Sequence, residues 1–441
     1  MTVEPAAEGV NSHYLDHVVA TGQAHDVEVT EDIVAGNGIK LLAKGARIDA
    51  GARERLLQHK LRKPLEVCVQ VIGGVMPTRF EPVGEALLEK HPLLRALCAS
   101  ARARAAPASL AALTLSMPMQ SLLTVQAQFQ QERLEHSVGV AMLALSLARR
   151  LLPDDIERHR VLATAGLVHD VGELYIDPDY LRKDTRLAAE QWRHIVTHPL
   201  VGHRVLRDMV GAGRAVAEAV LLHHERLDGF GYPRGVAHEA FTLDGQILAA
   251  AEWLMGLVES GVSPLTRARM AERLVPGEFS VAVLEAVSTA AREAPDLPIE
   301  LSAATPLEEA VPRIERLAAT LERFRDLRAW IDERIATAGA ELHLVLATGL
   351  NRMLRIQASF SSTGLDAHNP RHLLGELAAL QDPKVYTEIM TLVREMEWRM
   401  RELEREQRLR ASLLPAQDGA VIGDLIQRLK GPRVADGEAA A

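Results

Sequence analysis

The amino-acid sequence predicts a mainly α protein. It should have a small N-terminal β-rich module, an all-helical central domain and a C-terminal helical bundle or short coiled coil. Three observations carry this. Residues 27–72 hold short apolar runs that alternate with polar neighbours and are separated by turn residues, the period-2 pattern of strands. From residue 83 onward apolar residues recur every three or four positions, the period of a helix face. Between residues 132 and 252, histidines and carboxylates gather at the ends of apolar runs, where burying them is costly unless they coordinate something.

Taken in order, residues 1–82 read as a leader followed by the β-rich module, the leader being loose to about residue 25. Val27 and Val29 alternate with polar residues. Asn37-Gly38, lying between Ile33 and the run Ile39-Leu41-Leu42, is a hairpin signal. A short helix carrying Leu56 and Leu57 is expected after Asp49, and Leu65, Val67, Val69 and Val71 alternate as a further strand. Residues 83–130 form a helical connector broken near Pro107 and Pro118, because proline lacks an N–H and clashes inside a helix. Residues 131–294 stay helical, with Leu134, Val138, Met142, Leu145 and Ala148 at helical spacing. Residues 295–306, with three prolines, read as a linker.

The C-terminal helical region covers residues 306–430. Thr305-Pro306 ahead of Glu308 looks like a helix start, with Thr as cap, Pro in the first turn and Glu closing a capping box. Ile314, Leu317, Leu321, Phe324, Ile331 and Ile335 share one helix face, and Met390, Val393, Met396, Met400 and Leu403 another. Packing within one chain and homodimerisation both fit such faces. Residues 431–441 read as a disordered tail.

Composition excludes several classes of function. A net charge of −9 is not the electrostatic footprint of a nucleic-acid-binding protein. Two cysteines, Cys68 and Cys98, cannot form a disulfide framework and fit a reducing compartment. The N-terminus MTVEPAAEGV has neither a basic nor an apolar signal segment. The longest uncharged stretch, residues 105–131, contains two prolines and many Ser, Thr and Gln residues, a poor membrane span. These features predict a cytoplasmic protein with neither a membrane nor a nucleic-acid partner.

The candidate chemistry lies in the central domain. Glu132 and His136 are four apart and share a helix face. His169-Asp170 follows the apolar run Ala165–Val168, His198 precedes Pro199, and His223-His224 ends the apolar run Ala219–Leu222. Adjacent helical side chains diverge by about 100°, so a His pair can reach two metal ions. Glu252 completes the set. Imidazole and carboxylate ligands suit iron, manganese or zinc.

The string His223-His224-Glu225-Arg226-Leu227-Asp228-Gly229-Phe230-Gly231-Tyr232-Pro233 matches HHExxDGxGYP. It resembles the signature of the HD-GYP phosphodiesterases within the HD phosphohydrolase superfamily. VHDVGELYI resembles that family's HD segment, and Thr197-His198-Pro199 its HP element. The resemblance covers roughly residues 130–290. It implies a helical catalytic domain that hydrolyses cyclic di-GMP to linear pGpG, and further to GMP, by metal-activated hydroxide attack. It implies two or three divalent metals, iron or manganese first, with Glu132, His136, His169, Asp170, His198, His223, His224 and Glu252 as ligands. His169 and Asp170 would be catalytic, with Asp170 bridging. Glu173, Asp228, Gly229, Gly231, Tyr232 and Pro233 would line the substrate.

Some positions depart from that pattern. Glu173 stands where the family has a phosphate-binding lysine. Glu252 and Met255 replace the two aspartates of a DxxDA element, and Met255 cannot replace a carboxylate acceptor. Downstream basic residues do not align, although Arg267 and Arg269 lie a few positions later. The metal shell is thus largely kept and the substrate shell changed. Two readings follow: a cyclic di-GMP phosphodiesterase, or a degenerate domain that senses a nucleotide or docks GGDEF-domain proteins. A hydrolase of another phosphorylated substrate is a third.

Overall fold

A computed structural model of the chain describes residues 9–99, 104–129, 131–182, 187–208, 212–275, 277–295, 306–362, 375 and 383–431. The chain divides into two units, Met1–Pro264 with Gly277–Glu293 and Leu265–Pro276 with Ala294–Ala441. The expected tail from residue 432, and residues 296–305 of the expected linker, lie outside the described residues.

The first unit begins with a correction. The segment expected as a loose leader holds helix α1 (Ser12–Thr21), because Asn11 Oδ1 caps Tyr14 N at 3.0 Å and Tyr14, Leu15 and Val18 are buried. Strand β1 (Asp26–Val29) follows, then β2 (Ile33–Val34) and β3 (Lys40–Leu42), which pair around the Asn37-Gly38 turn. Gly38 takes φ +91°, a conformation open to glycine. Asp49 caps α2 (Ala50–Leu57) through Ala52 N at 2.8 Å. The expected strand from Leu65 is shorter than its alternation suggested. Leu65–Cys68 form a helical turn, α3, and only Val69–Ile72 form β4. β4 pairs antiparallel with β1, setting Val27 opposite Val71 and Val29 opposite Val69, all four buried.

Helices α4 (Phe80–Lys90), α5 (Pro92–Cys98), α6 (Ala106–Ala111) and α7 (Met117–Phe129) come next. Pro107 and Pro118 start α6 and α7 rather than break a longer helix, since a first-turn N–H needs no partner. The uncharged polar run explains itself in α7, where Ser121, Thr124 and Gln126 are buried. Ser121 Oγ accepts from Val71 N at 3.1 Å and Thr124 Oγ1 from Val75 N at 2.8 Å. The module's backbone is thereby tied to the helical part of the same unit.

The central helices are α8 (Gln131–Leu151), α9 (Ile156–Val168), α10 (Ala189–Ile195), α11 (His198–Asp208), α12 (Arg214–Leu222) and α13 (Leu243–Ser260). A 3-10 turn, Val171–Tyr175, directly follows His169-Asp170. Leu134, Val138, Met142, Leu145 and Ala148 are buried, as their spacing predicts. Gly166 lets α9 approach α8 closely, because a Cβ there would lie 2.5 Å from Ala141 Cα. Helices α14 (Pro264–Arg269) and α15 (Ala271–Leu274) belong mostly to the second unit, and α16 (Val281–Glu293) returns to the first. No helix among the described residues is long and apolar enough to cross a membrane.

The second unit is built from long helices at Leu307–Thr337, Ala340–Ser361, Pro383–Ala411 and Ala416–Lys430. Ile314, Leu317, Leu321, Phe324, Ile331, Met390, Val393, Met396 and Leu403 are all buried. Pro306, not Thr305, holds the cap position, with φ −54° and ψ 144° and no side-chain cap bond; Thr305 lies outside the described residues. Arg267 donates to Glu395 at 2.6 Å and Arg269 to the Ala294 carbonyl at 2.6 Å. Both arginines considered as stand-ins for missing substrate contacts are thus engaged within this unit.

Candidate metal centre

Three of the site histidines sit at helix ends, where last-turn carbonyls have no helical partner. His169 and His223 follow the last residues of α9 and α12, and His198 follows the end of α10. Each ring turns Nδ1 back to the carbonyl three residues earlier. His169 reaches Gly166 at 2.9 Å, His198 reaches Ile195 at 2.8 Å and His223 reaches Val220 at 2.6 Å. A carbonyl only accepts, so Nδ1 carries the proton and Nε2 of the neutral ring presents a lone pair inward. Gly172 permits this convergence, since a Cβ there would overlap the His198 carbonyl.

The donors fall into two groups. Asp170, His198, His223 and His224 form one, and His136, His169 and Glu252 the other. Within each group the ligand atoms lie within 4.8 Å of one another, and each could hold a metal ion. Asp170 faces both. Its Oδ1 is 3.4 Å from His198 Nε2 and 3.6 Å from His223 Nε2. Its Oδ2 is 3.2 Å from His169 Nε2 and 3.7 Å from His136 Nε2. Glu252 Oε2 lies 3.1 Å from His136 and 3.3 Å from His169. Glu132 belongs to neither group. It is exposed in the first turn of α8, while Arg133 beside it points inward.

The donor chemistry fits a bound cation. His198 and His223 set their Nε2 atoms 3.0 Å apart, and His136 and His169 theirs 3.2 Å apart. Between neutral rings these would be acceptors facing acceptors, with two carboxylates close by. Without a metal, protons must relieve this. Burial opposes the His169 imidazolium, yet Asp170 and Glu252 outweigh it and raise its pKa to about 10. Burial likewise opposes charge on His136, but Glu252 and Glu259 raise its pKa well above the usual range. Burial works against the Asp170 and Glu252 carboxylates too, yet His169 and His136 respectively hold them low. Burial pushes His223 down to about 4, and His224 is lowered the same way.

Glu173 is not the isolated anion its position implied. Arg133 Nη1 lies 2.7 Å from its Oε2 and 3.3 Å from Asp170 Oδ2. Burial and Asp170 push the Glu173 pKa up, with Arg133 opposing. The Asp228–Pro233 segment meets the donor groups through Tyr232, which lies against His224. Glu225 is fully buried and accepts from Arg234 N at 2.7 Å and Val236 N at 3.0 Å, closing the loop. Gly231 has no room for a Cβ against Glu225, and Gly229 takes φ +75°. Asp228 Oδ1 accepts from Phe230 N, so it serves the loop itself. Pro233 follows a cis Tyr232–Pro233 bond. The Tyr232 ring stacks on His224 at 4.6 Å, with Trp192 edge-on at 6.1 Å. Met255 is a packing residue here: a Cβ on Gly139 would lie 2.5 Å from its sulfur. Arg133 and Glu259 were not singled out from the sequence, and Glu225 entered only as the fixed Glu of the HHExxDGxGYP string.

Residues 114–273 match the family model of the HD domain. A cyclic di-GMP phosphodiesterase of Pseudomonas aeruginosa is 40% identical over 109 residues, 24% of this chain and 26% of that protein. A 3'3'-cGAMP-specific phosphodiesterase of Vibrio cholerae is 33% identical over 148 residues, 34% of this chain and 33% of that protein. The chain thus spans a quarter to a third of the length of these curated relatives. An HDG"Y"P protein of Bdellovibrio bacteriovorus superposes with a TM-score of 0.32 at 15% identity, covering 61% of this chain and 96% of that one. Residues 114–273 are therefore similar to an HD domain. Its His223–Pro233 string resembles the HD-GYP signature.

Proposed function

We propose that the central domain is a metal-dependent phosphodiesterase that opens cyclic di-GMP to linear pGpG and carries it on to GMP. The observation that supports this most is Asp170, whose two oxygens face two separate donor groups. One group is three imidazoles beside Asp170, and the other is two imidazoles with Glu252. We assign these seven residues as the metal ligands, iron or manganese first, with His169 and Asp170 at the reacting centre. A bound divalent pair supplies Lewis acidity toward a phosphoryl oxygen and lowers the pKa of water.

The rest of the reaction belongs to the chain's own groups. The orienting carbonyls lock the convergence of the His169, His198 and His223 Nε2 atoms, so little reorganisation is needed when substrate arrives. Arg133 neutralises Glu173 and leaves the site able to accept a phosphate. Tyr232 and Trp192 offer aromatic surface on which a nucleobase can stack. The named activities of the relatives support cyclic dinucleotides as the substrate class, and Cys68 and Cys98, both free, suit the cytoplasm.

The test is hydrolysis of cyclic di-GMP by protein prepared without oxygen and loaded with Fe(II) or Mn(II), with products resolved by chromatography. Linear pGpG is expected from the wild type and none from the His169→Ala/Asp170→Ala double variant. No product from protein that demonstrably holds metal would reassign the domain to nucleotide sensing or to docking a GGDEF-type cyclase.

A further inference from the structure

His136 differs from the other inward histidines. It lies inside α8, where the carbonyl three residues back is already committed to the helical ladder. The device that orients His169, His198 and His223 is therefore closed to it. Its Nδ1 instead meets Glu259 Oε1 at 2.7 Å, while its Nε2 faces Glu252 at 3.1 Å. Glu252 and Glu259 are seven residues apart on α13, about two turns along nearly the same face. One helix thus supplies a carboxylate to each nitrogen of the ring.

We propose that Glu259 is a positioning residue for the metal group of His136, His169 and Glu252. Its carboxylate accepts the Nδ1 proton, fixes the tautomer and ring plane, and raises the basicity of Nε2. Carboxylate partners of ligating histidines act this way, and their loss lowers metal affinity by about 10- to 100-fold. The two groups then differ in character. His198 and His223 are held by backbone carbonyls, as is His169 in the other group, whereas His136 is held by a side-chain carboxylate. Glu259 is 42% exposed in its side chain, so its removal opens no cavity in the core.

The proposal rests on the metal-centre reading, and manganese(II) titration separates the two. Wild type should bind two ions; failure to bind any would overturn that reading itself. Glu259→Ala should weaken one of the two sites by about 10- to 100-fold and leave the other unchanged. Glu259→Gln keeps an acceptor without the charge and should recover part of the loss. The far-ultraviolet circular dichroism of the metal-free protein should not change in either variant. Two unchanged affinities in Glu259→Ala, loss from both sites, or a lost helical signal in the metal-free variant would each overturn the proposal.

Discussion

Arg133 shows how one side chain changes the meaning of its neighbours. Helical spacing placed Glu132 on the face of His136, and that geometry is real for residues four apart. In α8, however, Glu132 lies in the exposed first turn, and Arg133 enters the site. Its guanidinium bridges Glu173 and Asp170 with 19% of its side chain exposed, and Glu173 is 14% exposed. The charge reversal at Glu173 is therefore compensated within the same chain. Removing one partner of a largely buried pair typically costs about 3–5 kcal/mol. Arg133→Ala should destabilise the metal-free protein toward the lower end of that range, because the site retains some solvent. Glu173→Gln in the Arg133→Ala background should restore much of the loss. Urea melts of the four proteins form a double-mutant cycle, and additive effects would show that the pair does not interact.

At the scale of elements, the turn after His169-Asp170 is held from outside the metal centre. Tyr14 of α1 stacks on Tyr175 of the Val171–Tyr175 turn at 5.0 Å and 8°. Tyr175 Oη donates to Glu66 Oε1 at 2.6 Å, and Asn11 Nδ2 donates to the Tyr175 carbonyl at 3.2 Å. Burial, and then the charge of Glu66, push both phenols well above their ordinary range. In the unfolded chain they titrate near 10. The stabilisation is therefore complete below about pH 10 and is lost as pH rises beyond it, because the unfolded chain then sheds protons that the fold retains. A Tyr14→Phe/Tyr175→Phe variant cannot ionise there and should lose stability less steeply above pH 10. Cys68 and Cys98, pushed by burial to about 11, add a slope of the same sign in both proteins. Parallel stability curves for wild type and variant above pH 10 would refute the assignment. None of this docking was legible in the sequence, where residues 12–21 carried too few polar alternations to stand out. The hairpin at Asn37-Gly38 and the cap at Asp49 were legible because turn and cap chemistry are local. The strand assigned from Leu65 failed at its start, where Pro64 and the following turn override a two-residue alternation.

For the whole molecule, the helical character of the central and C-terminal regions and the gathering of seven His, Asp and Glu side chains could be read in advance, but the division of the chain could not. The helical period marks each helix without saying which helices pack together. The structure assigns the β-rich module to the same unit as the HD domain, and residues 265–276 to the C-terminal unit. The second unit holds a buried ionic set in which Glu395, 3% exposed, meets Arg267 at 2.6 Å and Arg399 at 3.1 Å. Two units with separate stabilising features should melt separately, since chains of several units depart from a single two-state transition. Calorimetry should therefore resolve two transitions. Manganese(II) at a hundredfold excess over its dissociation constant stabilises the unit that binds it by about 2.7 kcal/mol and should raise only that unit's transition. Glu395→Ala leaves Arg267 and Arg399 without their shared carboxylate, a loss of about 3–5 kcal/mol, and should lower only the other. The two perturbations together locate each transition without dissecting the chain. If both move one common transition, the units unfold as a single cooperative body, and metal binding in the HD domain would then stabilise the C-terminal helices as strongly as its own.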